Sequence, residues 1–200
     1  MKKLTLKDKI EYLYNCFVKV DGLWFIKAEE EFGFEKALDL DGKVWTVLAK
    51  IQARFLKNRL LADNNYHKYN YYKKTYYKYN DLKLLKAALD IKMQLDGYEF
   101  ESKLIKKDPK QKYSIVEINI NKCPWFEILK KSNRSHLSEK LSDKICTTEY
   151  FTFANELLNY SNSAPLDKNI KVVEFVKNNG ICKSFNTCNF YFNINFNIIY

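Results

Sequence analysis

The residues of this 200-residue chain that could do chemistry are its five cysteines and a few carboxylates close to them in sequence. Cys123 is the most informative. It follows a run of alternating apolar residues and precedes Pro124, and proline is favoured at the first position of a helix. A sulfur placed there faces unpaired N–H groups, which favour thiolate over thiol and lower a cysteine pKa. A nucleophilic thiolate also needs a proton acceptor. Glu127 lies one turn further on, and His136 is the only histidine in this half of the chain. The plainer reading, which spacing alone favours, is a small apolar residue at a tight strand-to-helix joint.

Cys146, Glu149, Tyr150 and Phe153 are spaced to share one helix face, where they could line a pocket or mark the edge of a core stripe from which Glu149 reaches solvent. Cys182 and Cys188 bracket the last turn, with five residues between them. Zinc sites bring cysteines in closer pairs and in sets of four with histidine, so this spacing argues against a metal and implies no cofactor. No phosphate-cradling glycine loop, Ser/His/Asp set or His-Glu-x-x-His pair is present.

The elements that must position these residues follow from periodicity. A helix starts near Thr5, which caps it with Asp8, and carries Leu6, Ile10, Leu13, Phe17 and Val18 on one face. Asp21-Gly22 is expected to break it, a short helix to follow over Leu23–Glu31 as far as Gly33, and a third to run from Asp41 to Leu61 with Val44, Leu48, Ile51 and Phe55 inward. Residues 64–80 are a low-complexity Tyr/Lys/Asn stretch. A fourth helix, Asp81–Leu95, buries Leu82, Leu85, Leu89 and Met93, and Asp96-Gly97 ends it.

From Tyr98 the period changes to two. Tyr98, Phe100, Ser102 and Leu104 form one strand, and Val116, Ile118 and Ile120 a second, with a turn at Asp108-Pro109-Lys110 between them. A helix at Pro124, another over Ser138–Tyr160, a strand over Ile170–Val176, a turn at Asn178-Asn179-Gly180 and a strand over Asn189–Ile198 complete the chain. In that last strand Phe190, Phe192, Ile194, Phe196 and Ile198 alternate inward. The order predicts an α+β domain over residues 1–200, with N-terminal helices packed on an antiparallel sheet of two hairpins and helices between them.

Composition sets the limits. The chain is 46% hydrophobic, with 5 Gly and 3 Pro, which suits one well-cored domain. It has no signal-peptide pattern and no membrane-length apolar run, and its odd number of cysteines points to reduced thiols in a cytoplasmic setting. The net charge of +10 is spread along the chain, as in compositional drift, and argues against nucleic acid as partner. The Tyr/Lys stretch has residue types used to bind single strands but matches no such signature. Oligomeric state is not legible.

Two blocks carry a resemblance. Asp21-Gly22-Leu23-Trp24-Phe25 with Glu29-Glu30, Gly33, Glu35-Lys36-Ala37, Asp41 and Val44-Trp45 resembles the opening of an uncharacterised family of cytosolic bacterial and archaeal proteins. Cys123-Pro124-Trp125-Phe126-Glu127, Ile145-Cys146, Glu149-Tyr150 and the terminal Cys182…Cys188-Asn189-Phe190 resemble its second half. That half is also similar to the L-2-amino-thiazoline-4-carboxylic acid hydrolase family and, more distantly, to ligand-binding domains of the 4-vinyl-reductase type. The hydrolase family opens a sulfur-containing ring by adding water across a C=N bond. The resemblance therefore implies Cys123 and Cys146 as reactive thiols, Glu127 or Glu149 as acid/base, Trp24, Trp125 and Tyr150 as pocket walls, and Cys182 and Cys188 at the ligand. The alternative it implies is a noncatalytic module binding a small molecule or metal. The family's terminal turn carries glycine two residues after the first cysteine; Ser184 stands there, and a different turn is expected.

Overall fold

Thr5 opens the first helix with a reciprocal cap. Its hydroxyl accepts from the Asp8 N–H at 3.2 Å, and its own N–H donates to Asp8 Oδ2 at 2.8 Å. Two donors that a helix start leaves bare are thereby satisfied. The computed structural model describes residues 4–62, 77–106, 114–159 and 171–196. Helix α1 spans Leu6–Phe32 without interruption, so the expected break at Asp21-Gly22 does not occur. One interior glycine costs a helix about 1 kcal/mol, too little to end it when the flanking residues continue it. The stop is Gly33, at φ 80° and ψ 161°, a conformation essentially reserved for glycine. Helix α2 follows directly as Phe34–Ala62, starting before the expected Asp41.

The chain divides into two compact units, Met1–Val44 and Trp45–Tyr200. In the first, the Phe25 and Phe34 rings meet edge to face with centroids 6.0 Å apart, and Ala37 and Leu38 are buried. In the second, α2 buries Trp45, Ala49, Ala53 and Leu56. This corrects the expected stripe: Val44, Ile51 and Phe55 are exposed, and the inward line runs beside them through small alanines, a less conspicuous apolar signal.

Helix α3, Tyr77–Leu95, buries Leu82, Leu85, Leu89 and Met93 as the spacing predicts, and Gly97 at φ 81° turns the chain into the sheet. Strands β1 (Glu99–Lys106) and β2 (Ser114–Lys122) form the first hairpin; β3 (Lys171–Asn179) and β4 (Cys188–Phe196) form the second. The sheet order is β1-β2-β4-β3, and every neighbouring pair is antiparallel. Its register sets Ile118 opposite Phe190 and Val116 opposite Phe192, all buried.

Between the hairpins lie α4 (Pro124–Lys131), α5 (Ser138–Leu141), a wide π turn over Ser142–Cys146, and α6 (Thr147–Asn159). The apolar residues of α3 and α6 share one core with β2 and β4. The class is α+β. Among the described residues no helix is long and apolar enough to cross a membrane. The Tyr/Lys/Asn stretch up to residue 76, the turn at Asp108-Pro109-Lys110 and Ile198, expected to face inward, lie outside the described residues.

Candidate functional site

Three separate pieces of backbone bring sulfur to one place. Cys123 is the N-cap of α4, Cys146 ends the π turn that leads into α6, and Cys182 and Cys188 flank the β3–β4 turn. All four line a single small cavity with Tyr98, Ser142, Tyr150, Phe175, Lys177 and Phe190. Its volume is about 20 Å³, room for one water molecule. A larger, open depression of about 530 Å³ runs along Asp90, Gln94, Glu99 and Glu101 and contains no cysteine.

The π turn carries both Ser142 and Cys146 of the lining. Ser138 and Ser142 are buried where the helical run faces the second hairpin: Ser138 Oγ donates to the Cys182 carbonyl at 3.2 Å, and Lys177 Nζ donates to Ser142 Oγ. The Ile181 N–H donates to Cys188 Sγ at 3.0 Å. Gly180 is tightly placed, since a Cβ there would lie 3.1 Å from Lys177 Cε and 3.7 Å from Cys188 Sγ.

The protonation state of the thiols reverses the expectation for Cys123. The N–H groups of Phe126 and Trp125 face its sulfur and favour thiolate, short of a capping hydrogen bond. Burial acts the other way and is larger, pushing the thiol up to about 12. Burial likewise raises Cys146, with Cys123 and Glu149 adding and Lys177 opposing, and it raises Cys182 despite a hydrogen bond with Ser142. These sulfurs are neutral thiols at ordinary pH.

Behind the cavity lies a buried ion pair. Lys92 Nζ sits 2.6 Å from Glu149 Oε1 and 2.6 Å from Asp96 Oδ2, with the Lys92 and Glu149 side chains only 2% and 5% exposed. Burial disfavours the ammonium, but the two carboxylates outweigh it and hold Lys92 above the usual lysine value. Glu149 is thus committed to a charge pair and does not reach solvent. Next to it, the Tyr150 hydroxyl is buried without a hydrogen-bond partner among the described residues; the Tyr98 hydroxyl is near but does not complete one.

Of the residues read from sequence, Cys123, Cys146, Tyr150, Cys182 and Cys188 meet at the cavity. Glu127 is half-buried in the first turn of α4 and lines none of it; His136 is exposed. Trp125 packs edge to face on Trp45 with centroids 5.7 Å apart and forms no wall of the cavity. Trp24 belongs to the first unit and is exposed. Lys92, Tyr98, Ser142 and Lys177 were not singled out from sequence. Lys92 alone left a trace there, one charge set among the apolar residues of α3. Among the described residues no group of three or more His, Cys, Asp or Glu side chains could hold a metal ion.

Residues 3–82 match the model of a family of unknown function (DUF6125). The match covers α1, α2 and the start of α3 and stops before every residue of the cavity. No curated protein and no solved structure matches the chain.

Proposed function

We propose that the second unit is a small-ligand-binding module whose ligand enters at the cysteine-lined cavity. The observation that carries this reading is the convergence of four cysteines from three segments on a void beside the unpartnered Tyr150 hydroxyl. A buried hydroxyl without a partner costs about 1–3 kcal/mol, a cost that a ligand acceptor would remove. The wall suits a flat, soft ligand: sulfurs and the rings of Tyr98, Phe175 and Phe190 for its body, and Lys177 for an anionic end. A cavity for one water does not admit a ring, so binding requires lining side chains to move. Native mass spectrometry of the purified protein and a thermal-shift screen of small heteroaromatic carboxylates test the reading. A bound mass or a raised melting temperature, lost on filling the cavity with Cys188→Phe, is expected. Ligand-free protein with no shift across the screen would defeat it.

A second reading, hydrolysis of a cyclic amidine or thiazoline-like substrate at Cys123, is favoured by the helix-start amides facing that sulfur. The raised thiol weighs against it in the free protein. Thiazoline turnover abolished by Cys123→Ser would establish it over plain binding; absence of turnover would leave the module noncatalytic.

A further inference from the structure

Helix α1 carries an apolar line that the described residues of its own unit leave uncovered. Leu6, Ile10, Leu13, Phe17, Val20 and Trp24 follow one another at alternating intervals of four and three, the heptad spacing of a helix–helix seam. All six are between 40% and 74% exposed, whereas Phe25 and Ala28, buried on the same helix, lie off this line. The line is about 27 Å long at the rise of an α-helix.

We propose that this face binds the same face of a second copy of the chain, the two α1 helices running antiparallel. The direction comes from the flanking charges. Lys7 and Lys9 border the line at its start and Asp21 borders it towards its end, while Glu30, beyond the line, is paired with Lys27. Parallel pairing sets like beside like; antiparallel pairing sets Lys7 of one copy beside Asp21 of the other. It also layers Leu6 against Trp24, Ile10 against Val20 and Leu13 against Phe17, so that large and small side chains alternate. Asp21 is half-buried, has no ion-pair partner among the described residues, and is pushed up to about 6 by burial. Covering six such side chains removes on the order of 600 Å² per copy, and the flanking residues bring the total into the range of specific interfaces, from about 1,200 Å². A membrane surface would prefer lysines along the whole line rather than an acid at one end.

Sedimentation equilibrium of the full chain tests this, with circular dichroism to verify folding of each variant. A dimer is expected at about 100 µM or below. Phe17→Glu, at an exposed position, should leave a folded monomer. Asp21→Lys should weaken association about tenfold, and adding Lys7→Asp should restore it, because both copies then exchange signs. A monomer at all concentrations, including one that co-sediments with anionic vesicles, overturns the proposal. So does a dimer indifferent to Phe17→Glu. A dimer that the double exchange fails to restore overturns the antiparallel arrangement.

Discussion

Cys123 is acted on by two opposed influences, and their balance is measurable. The amides of Trp125 and Phe126 favour its thiolate, while enclosure favours its thiol and prevails, at about 12. In the unfolded chain a cysteine releases its proton near ~8.5. Between those values the native state binds more protons than the unfolded state, so stability falls as pH rises, by up to about 1.4 kcal/mol per pH unit for each such thiol. Lys92 acts in the same direction, since its ion pair contributes below the ordinary lysine value and is lost as pH climbs through its raised one. Denaturation midpoints should therefore drop steadily above about pH 9. At pH 8, iodoacetamide should label Cys123 far more slowly than a free thiol, followed by mass spectrometry. Tyr150→Phe removes a buried, unpartnered hydroxyl and should raise unfolding free energy by about 1 kcal/mol while weakening any ligand that uses that oxygen. Lys92→Met leaves Glu149 charged and unpaired and should cost about 3–5 kcal/mol in urea denaturation, most of it recovered in Lys92→Met with Glu149→Leu.

The elements show what local pattern can and cannot disclose. The two hairpins were legible because alternation of Val116, Ile118 and Ile120, and of Phe190 and Phe192, fixes which side of a strand is buried. The stripe of α3 was legible for the same kind of reason. The continuity of α1 through Gly22 was not, since Asp-Gly resembles a stop although its local penalty is weak; nor was the inward line of α2, which runs through alanines. The site was half legible. A helix start at Cys123 can be read from Pro124, but the burial that decides its proton comes from segments far along the chain. The Lys92–Glu149 pair joins α3 to α6 and has no local signature, and the π turn over Ser142–Cys146 has none either. At the last turn Ser184 adopts φ 67° despite its side chain, so the left-handed turn forms where a different one was expected. Ser184→Gly should relieve that strain and raise stability by roughly 0.5–1 kcal/mol in thermal or chemical denaturation.

At the scale of the molecule, part of the positive charge is compensated locally. Lys27, Lys43, Lys86, Lys103, Lys122 and Lys183 each stand within ion-pair distance of a carboxylate. Hydrocarbon is exposed along α1, and also at Val44, Val47, Ile51 and Phe55 of α2. If copies pair along α1, folding is linked to association, and the melting temperature should rise with protein concentration in the native chain but stay flat in Phe17→Glu, as differential scanning fluorimetry can read over a hundredfold dilution series. The distribution of cysteines has a consequence for anyone who stores the protein. Cys123, Cys146 and Cys182 face inward and keep their protons, whereas Cys16 stands apart from them on α1, near the middle of the uncovered line. A preparation kept in air without reductant should age first at that residue, accumulating covalently linked pairs on a non-reducing gel while the sulfurs within stay fresh.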